Sequence, residues 1–231
     1  MKVAFISDIH GNYDALKEVF KQIKKLNIEK IYCLGDIVNY YYDSDKCIDL
    51  LIKNKIQCIK GNHEKIFLKI LKNKKLKNFY AKRYGNSIYI NFKKLKKKHI
   101  DFIKSLPNKI NLKIGKKKAV IVHGAPWKID FYFYKNTKKE WTSKIKKYNK
   151  EIFILGHTHY PMNLKLQNKK TVLNPGSVGQ PRNAVNKACW LIIDDRDMRI
   201  QFMETKYSLK NLIKSIKKND KNNKSLLQYF L

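Results

Sequence analysis

Short apolar runs rich in β-branched residues recur along the chain, and helical patterns separate the first three of them. The runs cover residues 3–6, 31–34, 56–59, 119–122, 152–155 and 171–173. Continuous apolar runs of this length are typical of strands that are buried on both faces. Apolar residues recur at helical spacing over residues 14–26, and a similar pattern spans residues 45–53. Strands that alternate with helices predict a layered α/β domain.

Residues 64–109 are largely helical in pattern. Pro107 ends the helix predicted at 95–106, because proline lacks the N–H group that a helix interior needs. The whole segment is expected to pack on the flank of the sheet as an insertion. A chain of 231 residues is of a size for one domain, so we expect a single domain over residues 1–231.

The C-terminal part of the chain predicts a β-hairpin, then a helix and a tail. Strands at 188–193 and 198–203 flank an acidic turn, and we assign the carboxylates of that turn to the hairpin rather than to catalysis. A helix at 209–216 belongs to a C-terminal segment of helix and tail over residues 207–231. Its apolar end, 226–231, is expected either to fray or to dock.

Polar residues cluster directly after five of the apolar runs. In chain order these residues are Asp8 and His10, Asp36, Asn62 and His63, His123, and His157 and His159. Five of the six histidines fall in these clusters, and the sixth, His99, is expected to be a surface residue with no role. Because binding crevices form at the carboxyl ends of strands in open α/β sheets, these side chains are expected to converge on one site.

The residue types in these clusters indicate a transition-metal site. Carboxylates, imidazoles and one amide oxygen, with no thiolate, suit Mn²⁺, Fe, Zn²⁺, Co²⁺ or Ni²⁺ better than a structural zinc site or an all-oxygen Ca²⁺ site. Seven candidate ligands are too many for one ion and suit two. An aspartate that bridges two ions about 3.5 to 4 Å apart is what two-metal phosphoryl-transfer sites require.

In sequence order, the clusters read D-x-H, G-D, G-N-H-E, H-G and G-H-x-H. The chain thereby resembles the calcineurin-like metallophosphoesterases over residues 1–206, and the loop at 174–182 looks like that of their small prokaryotic phosphodiesterase branch. The resemblance implies the metallophosphoesterase fold, a layered β-sandwich flanked by helices, here with a helical insertion.

The resemblance also implies a role for each cluster. Asp8, His10 and His159 would bind the first ion, Asn62, His123 and His157 would bind the second, and Asp36 would bridge both. Manganese is the metal expected first, with Fe, Ni²⁺, Co²⁺ and Zn²⁺ as alternatives. The family's mechanism is in-line attack of a metal-bridging hydroxide on phosphorus. His63 would act as general acid toward the leaving oxygen, with Glu64 orienting its imidazole.

Further residues are candidates for substrate contacts. Arg182 is a candidate phosphate clamp, with a structural ion pair as the alternative, and Asn12 is a candidate of the same sort. The aromatic groups at 40–42 and 131–134 are expected to border the cleft, where packing and stacking on a nucleobase both remain open. Two departures from family patterns bear on specificity. A glycine-rich turn is missing after Asp36, and so is the Asp-Arg pair of protein Ser/Thr phosphatases, which argues against that activity.

The formal net charge of +33 raises the alternative of nucleic-acid binding. Nearly all of this charge is lysine spread along the chain, with only four arginines, so we favour surface solvation that also attracts anionic substrates. The predicted function is a binuclear-metal phosphoesterase, foremost a phosphodiesterase acting on small anionic phosphate esters. The alternatives are a nucleotide phosphatase or pyrophosphatase, dinucleoside polyphosphates included, and a nucleic-acid-binding nuclease.

Composition and termini predict the setting in which the protein works. No apolar stretch approaches the roughly 18 residues of a membrane helix, and the N-terminus leads straight into a strand pattern. We therefore expect a cytoplasmic protein that does not contact a membrane. The four cysteines are scattered without paired spacing and are expected to be reduced and buried. The oligomeric state is left open.

Overall fold

The computed structural model of the protein describes residues 1–167, 169–183, 186–221, 223–228 and 230. Within these residues the chain forms ten strands and eight α-helices. The strands are β1 (Lys2–Ile6), β2 (Lys30–Cys33), β3 (Gln57–Cys58), β4 (Lys109–Ile114), β5 (Lys117–Val122), β6 (Ile152–Ile154), β7 (Pro161–Lys165), β8 (Thr171–Pro175), β9 (Lys187–Asp194) and β10 (Ile200–Lys206). The helices are α1 (Tyr13–Lys25), α2 (Ser44–Lys53), α3 (Asn62–Lys72), α4 (Leu76–Tyr84), α5 (Ser87–Lys94), α6 (Lys97–Ser105), α7 (Lys139–Lys146) and α8 (Lys210–Asn219).

The strands form two five-stranded mixed sheets, ordered β10-β9-β1-β2-β3 and β4-β5-β6-β8-β7. In the first sheet β1, β2 and β3 are parallel, with Phe5 opposite Tyr32. In the second sheet β5, β6 and β8 are parallel, with Val120 opposite Phe153. Because parallel strands end at the same edge of a sheet, each sheet gathers the loops that follow its central strands on one side.

The inner faces of the two sheets pack on each other, as the period-two alternation of a strand requires. Phe5 on β1 lies in this inner core together with Ile121 and Leu173 of the second sheet. Its neighbours Ala4 and Ile6 face the other way, into a cluster that includes apolar residues of α1 and α2. Residues of α7 cover the outer face of the second sheet. The predicted layered β-sandwich flanked by helices is therefore confirmed.

The segment predicted as a helical insertion consists of helices α3 to α6. Phe67 of α3 and Ile103 of α6 join the cluster on the outer face of the first sheet. Helix α6 ends before Pro107, as predicted, but residue 109 already begins strand β4. Strand β4 alternates polar and apolar residues at a sheet edge and so lacks the continuous apolar run by which the other strands are recognised.

His99 on α6 is buried, so the prediction of a surface residue with no role is wrong. Its Nδ1 accepts a hydrogen bond from the backbone N–H of Lys96 at 3.1 Å, which satisfies a donor at the start of the helix. Its Nε2 lies 3.1 Å from the Asp49 carboxylate of α2. His99 thus ties α6 to α2 beneath a lysine-rich surface.

The predicted hairpin is formed by β9 and β10, with Ile193 opposite Ile200. The acids of its turn pair locally, Asp194 with Arg196 and Asp197 with Arg199, which is the structural role assigned to them. In the predicted apolar end 226–231, Leu226 and Phe230 dock against Tyr41 and Tyr42, whereas residues 229 and 231 lie outside the described residues.

Two further expectations concern cysteines and membrane helices. Cys33, Cys47, Cys58 and Cys189 are all buried free thiols, as predicted. Among the helices that the structure describes, none is both long and apolar enough to span a bilayer.

Candidate metal centre

The predicted strand-end residues meet where the two sheets converge. The first sheet contributes Asp8 and His10 after β1, Asp36 after β2 and Asn62 after β3, and the second contributes His123 after β5 with His157 and His159 after β6. The six Asp and His residues of this set are almost completely buried. A buried convergence of this many ionisable groups is rare unless a ligand or metal compensates their desolvation.

Several of these residues hold a strained backbone. Asp8, His10, Asp36, His157 and His159 all have positive φ, between 52° and 68°. The left-handed region costs an L residue on the order of 1 kcal/mol or more, and such strain persists only where the surrounding structure imposes it. These turns direct the side chains inward immediately after each strand, as a binding site requires.

Glycines allow the loops to approach closely enough for this convergence. Gly35 has φ of +90°, and a Cβ at this position would lie 2.4 Å from the backbone nitrogen of Gly61. A Cβ on Gly61 would lie 2.2 Å from Asp36 Oδ1. Neither position can accept a larger residue without moving the loop that carries Asp36.

The ligand atoms fall into overlapping groups in which all atoms lie within 4.8 Å of one another. One group joins Asp8, His10 and His159, and another joins Asp36, His123 and His157. A third, comprising His10, Asp36 and His63, connects the two. Asn62 belongs to the second region, with Oδ1 3.0 Å from His123 Nε2.

Hydrogen bonds to backbone carbonyls orient three imidazoles. His159 Nδ1 lies 2.8 Å from Gln180 O, His123 Nδ1 lies 2.7 Å from Leu34 O, and His10 Nδ1 faces Val38 O at 3.4 Å. A carbonyl oxygen only accepts, so each Nδ1 carries a proton and each Nε2 is turned into the site. Outer carbonyl contacts of this kind are typical of metal-ligating histidines.

The inward atoms lack suitable partners within the protein. His10 Nε2 and His159 Nε2 lie 3.1 Å apart, although the proton of each neutral ring sits on Nδ1, which faces a backbone carbonyl oxygen. Among the described residues, Asp8 Oδ1 and His157 Nε2 are buried without any hydrogen-bond partner. Lone pairs and carboxylates that face one another need a cation between them, so the donor set fits divalent metal ions.

The electrostatics of the site favour bound positive charge. Burial acts to raise the pKa of Asp8 and Asp36, but neighbouring histidines outweigh it and hold both pKa values well below the ordinary range. Burial acts to lower the pKa of His123, yet Asp36 raises it to about 10. His157 is desolvated and lies beside His123, which lowers its pKa to about 4. The two carboxylates are thus fixed as anions at the centre of the cluster.

His63 differs from the other histidines of the site in its outer contact. Its Nδ1 lies 3.2 Å from the side-chain amide nitrogen of Asn39, which can only donate. The proton of the neutral ring therefore sits on Nε2, which lies 4.0 Å from Asp36 Oδ2. Asn91 on α5 holds Asn39 in turn, since its amide nitrogen donates to Asn39 Oδ1 at 3.0 Å.

Glu64 does not orient His63, contrary to the expectation from sequence. Its carboxylate accepts hydrogen bonds from the backbone N–H groups of Asp36, Ile37 and Gly61, each at 2.8 Å, and from Val38 at 3.2 Å. Burial and the nearby Asp36 raise its pKa to about 7. Glu64 therefore fixes the loop that carries Asp36, and Asn39 makes the contact with His63.

Replacing Glu64 is expected to destabilise the fold. Glu64→Ala leaves four buried N–H groups without an acceptor, and we expect it to lower the free energy of unfolding by about 3 kcal/mol. Urea denaturation followed by circular dichroism measures this loss. Glu18→Ala on α1 is the control, because Glu18 forms a surface pair with Lys21 and the loss of such a pair is worth about 1 kcal/mol or less. Equal unfolding midpoints for both variants would contradict the role given to Glu64.

A cavity of about 450 Å³ opens beside the cluster. Its walls include Asp36, Asn62, His63, His157 and His159. A volume between about 300 and 1,000 Å³ is typical of small-molecule sites. The candidate ligands therefore lie at the inner end of a space that can hold a substrate.

The two predicted substrate contacts differ in position. Arg182 lines the cavity, with Nη1 3.5 Å from the Thr158 carbonyl oxygen. Asn12 lies outside that wall and is buried: its side chain caps α1 through the N–H of Ala15 and donates to Gly179 O at 2.9 Å. These hydrogen bonds occupy its amide, which argues against the substrate contact predicted for Asn12.

The predicted aromatic groups also divide. Tyr40 and Tyr132 line the cavity, whereas Tyr41, Tyr42 and Phe133 are buried in apolar clusters. Asn39, Asn91, Tyr80 and Tyr84 were not identified from sequence. Of these four, only Asn39 could have been assigned to the site from sequence, because it follows Asp36 in the same loop. The other three lie on helices, and the sequence does not reveal where those helices dock.

Comparison with known proteins places the chain in a family. Residues 1–196 match the sequence model of the calcineurin-like phosphoesterase superfamily domain. The uncharacterized protein MJ0912 from Methanocaldococcus jannaschii is 34% identical in an alignment that covers 94% of this chain and 92% of that protein.

Two solved structures share the fold. A hypothetical protein, PH1004, from Pyrococcus horikoshii superimposes with a TM-score of 0.80 at 22% identity, covering 99% of this chain and 98% of that one. A metallophosphoesterase from Sphaerobacter thermophilus superimposes with a TM-score of 0.79 at 22% identity and the same coverage. The chain belongs to the calcineurin-like phosphoesterase superfamily and is a phosphoric ester hydrolase.

Proposed function

We propose that the protein is a binuclear-metal phosphodiesterase that hydrolyses small phosphodiesters at the cavity beside Asp36. The observation that carries this proposal is the arrangement of two ligand groups around a shared carboxylate. Asp8, His10 and His159 lie on one side and His123 and His157 on the other, with Asp36 3.9 Å from His10 Nε2 and 3.1 Å from His123 Nε2. Two-metal phosphoesterase sites need this arrangement.

The family implies divalent metal ions, and the clustered histidines and aspartates supply candidate ligands. We assign Asp8, His10 and His159 to one ion, Asn62, His123 and His157 to the other, and Asp36 to both. Manganese is the metal we expect first, with Fe, Ni²⁺, Co²⁺ and Zn²⁺ as alternatives. When bound, such ions neutralise phosphoryl oxygens and lower the pKa of water.

The protein's own groups would then orient the ester and handle its proton. His63 keeps a proton on Nε2 because Nδ1 accepts from Asn39, so it can protonate the leaving oxygen as general acid. Arg182 stands on the cavity wall, where its guanidinium can pair with a non-bridging phosphate oxygen. His63 and Arg182 thus have separate roles, one in protonation and one in binding the phosphoryl group.

The shape and charge of the cavity favour a diester over a polynucleotide or a protein substrate. The cavity is also lined by residues beyond the candidate ligands, among them Tyr80 and Arg83 of α4, which leaves room for a substituent next to a phosphoryl group. Its wall carries four cationic side chains, Lys65, Lys69, Arg83 and Arg182, against two acids, Asp36 and Asp130. A concave site of this size suits small anionic esters.

The proposal is tested by hydrolysis assays on protein stripped with a chelator. Bis(4-nitrophenyl) phosphate and 4-nitrophenyl phosphate are each supplied with Mn²⁺, Ni²⁺, Co²⁺, Zn²⁺ or Mg²⁺. We expect turnover only after metal addition, with a higher kcat/KM for the diester. Faster turnover of the monoester would instead support the nucleotide phosphatase alternative, and cleavage of DNA or RNA with steep salt dependence would support a nuclease.

A further inference from the structure

The cavity beside the candidate metal centre is enriched in tyrosine. Tyr40, Tyr80, Tyr84 and Tyr132 all line it, although tyrosine makes up only 14 of the 231 residues. The proposed metal centre and the phosphoryl contacts account for none of these four rings. An aromatic wall in a site for charged esters therefore needs a separate explanation.

Three of the rings form one continuous surface that leads away from His63. Tyr84 lies 4.6 Å from the His63 ring and Tyr40 lies 5.0 Å from it, measured between centroids. Tyr80 continues this surface, nearly parallel to Tyr84 at 6.2 Å with an interplanar angle of 11°. Helix α4 supplies Tyr80 and Tyr84, one turn apart on the same face.

Tyr132 forms a second aromatic surface, on the side of His157. Its ring lies 4.2 Å from the His157 ring, and 49% of the residue is exposed. The ring also stacks on Tyr134, with centroids 6.0 Å apart and an interplanar angle of 11°, and its uncovered part offers aromatic surface to a ligand in the cavity. By contrast, the neighbouring Phe133 is 1% exposed and serves packing.

The same cavity offers positive charge beyond the inner wall. Lys65 and Lys69 lie one turn apart on α3, and Arg83 lies over the Tyr84 ring at 5.4 Å. No acidic side chain of the described residues forms an ion pair with Lys65, Lys69 or Arg83. Aromatic faces next to unpaired cations are the combination by which proteins bind a base together with its phosphates.

We propose that the tyrosine surfaces bind the nucleobase of the substrate and thereby make nucleotide-type phosphodiesters the preferred substrate class. Tyr80 and Tyr132 are the specificity-determining residues, because Tyr40 and Tyr84 already pack on the His63 ring. This inference rests on the proposed phosphodiesterase function. It extends that function by assigning a nucleoside to one side of the scissile phosphate.

The test compares two diesters with the same leaving group, thymidine 5′-(4-nitrophenyl phosphate) and methyl 4-nitrophenyl phosphate. Both are assayed with wild-type protein carrying the best-supporting metal and with the double variant Tyr80→Leu/Tyr132→Leu. We expect the wild type to have a lower KM for the thymidine ester than for the methyl ester. In the double variant the ratio of the two KM values is expected to shrink about tenfold, as loss of base stacking does. Phe79→Leu is the control, since Phe79 adjoins Tyr80, is exposed and lies outside the cavity wall.

The outcomes separate the two proposals. Hydrolysis of the methyl ester by metal-loaded protein supports the phosphodiesterase function whatever the tyrosines do. An unchanged preference in the double variant, or no preference in the wild type, overturns the nucleobase site alone. Should neither ester turn over, the phosphodiesterase proposal fails, and binding of thymidine 5′-monophosphate is measured by calorimetry. There, about tenfold weaker binding by the double variant supports the base site, and equal binding overturns it.

Discussion

Asp36→Asn is expected to abolish hydrolysis and metal retention together. Asp36 Oδ2 lies 3.9 Å from His10 Nε2 of the first assigned site and 3.1 Å from His123 Nε2 of the second, so its loss disturbs both predicted ion sites at once. Loss of an outer-shell partner of a metal ligand typically costs about 10- to 100-fold in affinity or activity. For a bridging ligand we expect a larger loss, more than about 10³-fold in kcat/KM.

Mass spectrometry of the metal content, together with diester kinetics, measures both effects. Asparagine preserves the shape of the side chain and an oxygen that can accept from the backbone N–H of His63, as Asp36 Oδ1 does at 2.8 Å. Asp197→Asn is the matched control, because Asp197 is a turn carboxylate paired with Arg199, and that turn follows Asp194, which lies opposite Lys2 at the start of β1, whereas Asp8 follows the end of β1. Two retained ions in the Asp36→Asn protein would refute the bridging assignment.

The sequence was informative about the site because its ligands follow strands directly. A residue such as Asp8 or His157 is positioned by the strand before it, and the carboxyl ends of parallel strands share one edge. The order of apolar runs was therefore enough to bring these side chains together without knowledge of the sheet order. The expected convergence is what the structure shows, whereas the role of each residue as a ligand remains a proposal.

The strands that escaped prediction both lie at edges of the second sheet. Strand β4 alternates exposed and partly buried residues, and β7 begins at Pro161 and has a single fully buried side chain, Met162. Edge strands are paired on one side only and need little apolar surface, so no continuous apolar run marks them. These strands are defined by their pairing with β5 and β8, which cannot be inferred from the local amino-acid composition.

Contacts made by the helical insertion were equally hidden. Asn91 reaches Asn39 across 52 positions of sequence, and Tyr84 reaches His63 from the neighbouring helix α4. Such pairs depend on how α4 and α5 dock on the loops of the first sheet. Helical periodicity identifies a helix and its apolar face, but it does not specify which polar side chain meets a particular partner.

His63→Ala is expected to retain both metal ions and to lose turnover in a manner that depends on the leaving group. His63 lies outside the seven assigned ligands, and its Nε2 proton faces the reaction space. Loss of a general acid typically costs about 10²- to 10⁴-fold. We expect a loss of this size for an alkyl leaving group, which needs protonation, and a much smaller loss for 4-nitrophenolate, which leaves without it.

Two further variants distinguish the effect of misorienting the His63 ring from the effect of removing it. Asn39→Ala removes the donor to Nδ1 and frees the ring to take the other tautomer. We therefore expect kcat to fall on the order of tenfold for an alkyl leaving group and less for 4-nitrophenolate. His99→Gln is the control histidine: it breaks the contact with Asp49 and can lower stability without altering that dependence. Metal content and kcat for a series of methyl aryl and dialkyl phosphates are the measurements. Equal losses across the series in His63→Ala would show that His63 supports the fold or the metals instead of protonating the leaving oxygen.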